Sequence, residues 1–390
     1  MKLFAFISVN FIFCILLPSC NDNKRRKPDT GKAGITIVDI SKARSLPAIG
    51  DAIKEIQFIP LETNDSSIVS TVNKAILYES EIYILDKEQR SLKVFGKDGN
   101  YLRSIGSLGK GPGEFTIIND FIIDPREKKI LILSNNEQGI FEFSLQGKYI
   151  RSIKHRLYGN SFSRIDGKYY YHINQNVNDL SKHYNLIAVD SSGKVLDRLF
   201  PFPKSFGGGL SFSGFIFKNK KGFLYSSALS DTIYQIAAAG NGIYPKYVFD
   251  FGESAIPLSV KKSFDSFMKE GLRYSFLHNY VVESEDVLAF TYQDRGKIIS
   301  AFCIRENGAG NSLIPVKFTF PIGHPIGLTG EGKVVSFISV AGFISALKAG
   351  KISELYLKEE FPELYELLPT LEVSDNPILT IVEFEMPQNF

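Results

Sequence analysis

The stretch whose reading decides the fold is Ile82-Tyr83-Ile84-Leu85-Asp86-Lys87-Glu88-Gln89-Arg90-Ser91-Leu92-Lys93-Val94-Phe95-Gly96-Lys97-Asp98-Gly99-Asn100-Tyr101-Leu102-Arg103-Ser104-Ile105. Three short strand-like runs are separated by a polar turn at Asp86 to Arg90 and by the Asp98-Gly99 pair. Asp-Gly between two such runs is a hairpin signal. The unit is then repeated. Ile130-Leu131-Ile132-Leu133 leads to Ser134-Asn135-Asn136-Glu137-Gln138-Gly139, then Ile140-Phe141-Glu142-Phe143, Gln146-Gly147 and Tyr149-Ile150-Arg151-Ser152-Ile153. A third copy runs from Tyr169-Tyr170-Tyr171-His172 through Leu186-Ile187-Ala188-Val189 and Ser192-Gly193 to Val195-Leu196-Asp197-Arg198-Leu199. Its middle turn, Asn174 to Tyr184, is a long polar loop. The turn glycines Gly99, Gly147 and Gly193 lie 48 and 46 residues apart. Four short strands at that period mark a propeller blade.

Weaker copies follow. Gly222 to Ser226 with Thr232 to Ile236 is a fourth, Val287 to Tyr292 with Lys297 to Phe302 a fifth, and Val334 to Ile338 begins a sixth. Two segments change period. Leu258 to Leu272 sets Val260, Phe264, Phe267 and Met268 at helical spacing, with Gly271 as the stop. Residues 352–368 space Leu355, Leu357, Phe361, Leu364, Leu367 and Leu368 in the same way, with Pro362 starting a turn. The expectation is an all-β chain: a six-bladed β-propeller over residues 35–390 with two short helical insertions. A ring of blades must join its ends, because an open strand edge is a template for aggregation. Ile56 to Leu61 is therefore expected to meet the final strand, Ile378 to Phe384, in one blade.

The N-terminus reads as an export signal. Met1-Lys2 precedes an apolar run from Leu3 to Leu17, interrupted by Ser8 and Asn10 and ending in Leu17-Pro18-Ser19-Cys20. The run is short for a spanning helix and ends at a small residue before a cysteine. Leu-x-Ser-Cys resembles a bacterial lipobox, which implies a signal peptide at residues 1–19, acylation of Cys20 and a flexible tether at residues 20–34. The chain is then expected in the cell envelope, held by the Cys20 lipid, with the outer membrane as the expected address. Cys14 leaves with the signal, so Cys303 is left without a disulfide partner; its apolar surroundings predict a buried thiol.

Charge narrows the function. Six of the 45 Lys and Arg and two of the 42 Asp and Glu precede residue 33, leaving 39 basic and 40 acidic residues in the body. A body this close to neutral carries no footprint for a phosphate backbone, so nucleic acid is not an expected partner. The Gly106 to Gly113 stretch lacks the Lys-Ser/Thr and the following helix of a Walker loop. It is expected to be a crossover between blades, with Phe115 packed behind it. The five His (155, 172, 183, 278 and 324) have no metal-ligand spacing, and no Gly-x-Ser-x-Gly elbow is present. No cofactor, metal or catalytic residue is predicted. In a propeller the middle hairpin of each blade and the crossover to the next share one face. That face is expected to collect Arg90, Lys110, Glu114, Asp120, Asn135, Asn136, His183 and Tyr184 as candidate binding residues at the channel mouth.

These patterns resemble the six-bladed β-propeller lipoproteins of Bacteroidota, themselves similar to NHL-repeat propellers. The resemblance rests on Ile59-Pro60-Leu61-Glu62-Thr63, Ile82-Tyr83-Ile84-Leu85-Asp86, Val94-Phe95, Asp98-Gly99, Gly109-Lys110-Gly111-Pro112-Gly113-Glu114-Phe115, Ser230-Asp231-Thr232-Ile233-Tyr234 and Asp375-Asn376-Pro377-Ile378-Leu379. It implies a fold and an envelope location and brings no catalytic set with it. The expected function is a binding or interaction module for a glycan, a peptide or an envelope protein. The alternatives are a carbohydrate lyase or hydrolase at the channel mouth, and a structural subunit that docks a partner on its helices.

Overall fold

The computed structural model describes residues 34–45, 52–205, 215–238, 242–304, 312–318 and 320–385. The expected signal peptide, Cys20 and nearly all of the tether lie outside the described residues.

Almost all the strands fall into six sheets of four to six strands, with one two-stranded ribbon besides. The first sheet is Lys74–Tyr78, Glu81–Asp86, Ser91–Gly96 and Tyr101–Ser104. The second is Asp120–Asp124, Lys129–Ser134, Gly139–Ser144 and Tyr149–Lys154. The third is Ser161–Ile165, Lys168–His172, Tyr184–Val189 and Val195–Pro201. The fourth has Phe215–Asn219, Gly222–Ser226, Thr232–Ala237 and Ile243–Asp250, and the fifth Ser275–Glu283, Val287–Asp294, Lys297–Ile304 and Val316–Phe318. The sixth is Gly327–Leu328, Val334–Ile338, Ile378–Phe384 and, from the start of the chain, Ile53–Pro60. The first strand of each sheet stands beside the first strand of the next, and Gly327–Leu328 stands beside Lys74–Tyr78. The inner strands thus close a circuit, and the fold is all-β and propeller-like.

The composition of the strands explains the layering. Second and third strands are buried on both faces by neighbouring sheets, so they read as unbroken apolar runs such as Ile130-Leu131-Ile132-Leu133, all fully buried. Outer strands alternate, and Leu102 and Ile150 are left half exposed. The expected union of the chain ends is present: Ile53–Pro60 pairs antiparallel with Ile378–Phe384 from Pro60 opposite Ile378 to Ile53 opposite Phe384.

The four-strand pattern does not hold everywhere. Thr36–Asp39 adds in parallel to the outer edge of the fourth sheet and carries Ser312–Leu313 on its other side. Arg44–Ser45 adds in parallel to the fifth. These segments lie before the first repeat and have no periodicity of their own to announce them. The helices also differ from expectation. Ser263 is extended and caps α1 (Phe264–Glu270) by accepting the Ser266 N–H, so the helical phase breaks between Val260 and Phe264. Val260 and Phe267 are buried, but Met268 is 61% exposed. An unforeseen helix, α2 (Val340–Lys348), precedes α3 (Glu354–Glu360) and α4 (Pro362–Leu367), where Pro362 does open the helix. Leu357, Phe361 and Leu364 bury themselves against the sixth sheet's core, whereas Leu355 is exposed. Among the described residues no helix is long and apolar enough to cross a membrane.

The repeated glycine marks a recurring contact. Gly99 has φ +87°, and a Cβ there would stand 2.1 Å from the Pro60 carbonyl oxygen, at the end of the sixth sheet's outer strand. Gly147 meets Ile105 after the first sheet, and Gly193 meets His155 after the second, both at similar φ. Each outer turn therefore abuts the preceding sheet, most tightly at Gly99, where backbone stands in the way of a side chain. Gly167, at φ +75°, has nothing within 4 Å of its would-be Cβ. Gly167→Ala should therefore cost about 1 kcal/mol, from backbone strain alone. Gly99→Ala should cost about 2–4 kcal/mol, because strain and an inter-sheet clash add. Denaturant melts of the two variants check this, and equal losses would remove the packing role assigned to the glycine.

Candidate functional site

The circuit of inner strands bounds a channel, and charged groups are gathered in its wall. On the first inner strand, Lys74 Nζ donates to Asp120 Oδ1 and to the Phe121 carbonyl, both at 2.8 Å. Asp120 Oδ2 accepts the Phe162 N–H at 2.9 Å. One nearly buried carboxylate thus ties together the inner strands of the first three sheets. At the other end of the second inner strand, Arg164 bridges Asp124 at 2.9 Å and Glu127 at 2.6 Å.

Lys87 and Lys218 complete the wall. Lys87 lies in the turn above the first sheet, and its backbone N–H is held by Asn73 Oδ1 at 2.7 Å. Its ammonium feels Asp120 and Lys74, and desolvation lowers its pKa. Lys218 is on the fourth inner strand, across the ring from the first. Desolvation lowers its pKa too, while Asp124, Arg126 and Lys74 act on its charge. Both side chains are exposed to solvent. Contact with water together with strong desolvation is what a group in a concave wall experiences: protein surrounds it without covering it. Neither ammonium has a carboxylate within bonding distance among the described residues.

The fifth sector is aromatic. The inner strand Ser275–Glu283 slips register between Leu277 and Val281, so residues 278–280 bulge. Tyr280 stacks on His324 with ring centres 5.9 Å apart and planes at 14°. His324 Nδ1 is 2.8 Å from Ser300 Oγ, and burial lowers the imidazole pKa.

The predicted binding residues divide. Asp120 belongs to the channel wall. Asn135 is occupied with structure: its N–H donates to Asn119 Oδ1 at 2.8 Å and its side chain pairs with the Gly159 backbone. Asn136 donates to Thr116 Oγ1 at 2.8 Å, and Glu114 Oε2 accepts the Gly111 N–H at 2.8 Å, which folds the crossover back on itself. Arg90 sits at φ +52° and reaches the Thr116 carbonyl, while Lys110 is exposed. His183 packs edge-on against Phe202, and Tyr184 begins the next strand. Lys74, Lys87, Lys218, Tyr280 and His324 were not singled out as site residues. They come from different sheets and no spacing connects them; the only signal was an ionisable or aromatic group on or beside an inner strand. Cys303 is buried, as its surroundings predicted. Among the described residues no three His, Cys, Asp or Glu side chains come together as metal ligands.

A family model described as a domain of unknown function, DUF4934, matches residues 35–383. No curated protein matches the chain. Among solved structures, a Bacteroides fragilis protein described as exported is 19% identical, with a TM-score of 0.74 over 90% of this chain and 100% of its own. A Bacteroides vulgatus member of the DUF4221 family is 11% identical, with a TM-score of 0.54 over 85% of this chain and 97% of its own. At these identities the likeness concerns the fold alone.

Asp120→Ala would leave the Lys74 ammonium with only the Phe121 carbonyl and no counter-charge, and the Phe162 N–H without its acceptor. Removing one member of such a buried pair should cost about 2–4 kcal/mol, tempered by the partial exposure of Lys74. Adding Lys74→Met should recover part of that loss, as read from the coupling in a double-mutant denaturation cycle. Strict additivity would mean that the pair does not hold the first two sheets together.

Proposed function

The chain belongs to the DUF4934 family, and from that premise we propose that it is a lipid-tethered binding module of the cell envelope whose channel takes an anionic carbohydrate. The six sheets act in this reading as six blades of one ring. The observation that carries it is the pair of ammonium groups, Lys87 and Lys218, set in the channel wall without carboxylate partners among the described residues. A cation held in a concave, partly desolvated site gains more from a bound anion than one on an open surface, because less water screens it. The stacked Tyr280 and His324 on the same circuit offer the flat apolar face on which a sugar ring packs.

The anchor is supported by Leu17-Pro18-Ser19-Cys20 and by the polar residues that follow. The described export of the structurally similar Bacteroides fragilis protein agrees with an envelope address.

A second reading, a carbohydrate-active enzyme, draws on the Ser300–His324 contact, which has the distance of a nucleophile and its base. Ser300 is on the third strand of its sheet and 7% exposed. Burial is the cause of the lowered His324 pKa, with no carboxylate contributing. The pair is better suited to satisfying a buried hydroxyl than to attacking a substrate.

Two measurements test the proposal. In calorimetric titrations a uronic-acid oligosaccharide should bind and its neutral counterpart bind at least tenfold more weakly. Lys87→Met with Lys218→Met should remove at least tenfold of the acidic ligand's affinity, and added salt should weaken it. The anion binds the protonated lysines, and their pKa values are lowered. Affinity should therefore decline on raising the pH before the ordinary lysine range near about 10.4 is reached. Equal affinity for acidic and neutral sugars would sink the channel reading. Separately, Cys20→Ala should move the protein from the membrane to the soluble fraction of fractionated cells; retention in the membrane would end the lipid-anchor proposal.

A further inference from the structure

A second site stands apart from the channel on the same face of the ring. The long turn of the third sheet, the turn of the fourth sheet, residues 201–203 and Lys261 line a cavity of about 120 Å³. That is several times the ~10–15 Å³ that one water requires, so the cavity admits a small organic group. Gln175, Asn185 and Lys261 supply its polar lining, and Phe202, Pro203 and Leu229 its apolar walls.

The polar groups are incompletely used. Gln175 is 4% exposed, yet its side-chain carbonyl oxygen has no hydrogen-bond partner among the described residues. Asn185 is 2% exposed; its Oδ1 accepts the Gln175 N–H at 2.8 Å, and no protein acceptor takes its Nδ2 among the described residues. Lys261 Nζ is held by Asp231 Oδ2 at 2.9 Å, which fixes the ammonium and leaves further N–H groups to donate. A buried amide without a partner costs free energy unless something fills the role.

The backbone around the cavity is strained. Asn174 and Gln175 have φ of 52° and 61°, Lys182 and His183 48° and 68°, and Phe200 and Leu229 58° and 57°. Left-handed backbone is costly for residues other than glycine, most of all for bulky ones, and tends to gather where a ligand is held.

We propose that this cavity is a subsite for an acetamido group. With the Gln175 amide turned half a revolution about its last bond, so that Oε1 faces the cavity, the ligand N–H would donate to Oε1; its carbonyl would accept from Asn185 Nδ2 or Lys261 Nζ, and its methyl would lie against Phe202, Pro203 and Leu229. One acceptor, fixed donors and an apolar wall match a neutral secondary amide. A free ammonium suits the cavity less, because Lys261 already contributes a positive charge. The acetamido group belongs to N-acetylated amino sugars and, as a secondary amide, to peptides.

Saturation-transfer NMR tests the site with N-acetylglucosamine, glucose and N-methylacetamide as probes. None of them is charged, and the acidic oligosaccharide used for the channel carries no acetamido group, so the two readings fail independently. The acetyl methyl of N-acetylglucosamine should receive saturation and glucose should not. Gln175→Gly keeps the left-handed backbone without strain and should reduce the signal at least fivefold; Lys261→Met should weaken it in a protein that melts like the parent. Saturation of both amides assigns the site to any secondary amide, and saturation of the sugar alone assigns it to an amino sugar. Saturation of neither amide, equal signals from glucose, or an unchanged signal in Gln175→Gly overturns the proposal.

Discussion

A ring of sheets has two free edges until the chain joins them, and here the join is Ile53–Pro60 laid against Ile378–Phe384. Within most of the other sheets, neighbours in space are neighbours in sequence, so their pairing closes short loops. This pairing spans almost the entire body and has the largest closure entropy to offset. It is offset by burial: Ile378, Leu379 and Val382 are fully enclosed, and Ile56 and Phe58 pack on the same core. The corner beyond the pairing is fastened as well. Asn376 bridges the backbone of Glu62, Ser67 and Val69, so the end of the last sheet is tied to the entry of the first. The segment before Ile53 extends the fastening outward, because Thr36–Asp39 and Arg44–Ser45 run along the edges of the fourth and fifth sheets. The start of the body therefore holds three consecutive sheets.

Closure of the ring also creates the electrostatic problem of its centre. Inner strands bring charged residues from opposite sheets close enough to interact, as Lys74 and Lys218 do. Some of these charges are neutralised locally, Lys74 by Asp120 and Arg164 by Asp124 and Glu127. Others are not. An apolar plug would be the simpler way to fill a channel, since a buried ion pair often contributes little net stability compared with apolar residues of the same shape. Ammonium groups kept in the wall at the expense of desolvation are better explained by what they meet there than by what they add to the fold.

The fold was legible for a physical reason. Strands buried on both faces must be apolar throughout, and turns that abut the preceding sheet at positive φ favour glycine. Ile82–Leu85, Ile130–Leu133, Gly99 and Gly147 therefore state their surroundings in their own composition. Where a residue's surroundings come from elsewhere in the chain, the sequence is silent. Thr36–Asp39 looks like any short polar-flanked strand, and α2 carries Val340 and Phe343 inward over too few turns to set up a clear period. Val260, Phe264, Phe267 and Met268 share one face only if helical phase runs unbroken through Ser263, where the backbone is extended, so Met268 ends up exposed. The turn residues Asn135, Asn136 and Glu114 have the composition of a binding face but use their polar atoms on neighbouring backbone and side chains.

That last confusion is general to this architecture. On the face of a ring, a polar residue that closes a turn and one that holds a ligand are of the same types, and only the count of unused donors and acceptors separates them. By that count Asn135 is satisfied and Gln175 is not, although both sit in the middle turn of their sheets. The lysines follow the same logic at the level of charge. A body with near-equal numbers of acids and bases gives no sign of a cationic channel, because neutrality of the whole does not require neutrality at each place. Lys218 and Lys87 are separated by more than a hundred residues, and both feel the charge of Lys74 because the ring is closed. The recognition proposed for this channel would thus be a property of closure, and variation in the loops of one face would change its ligand while the circuit of inner strands stayed the same.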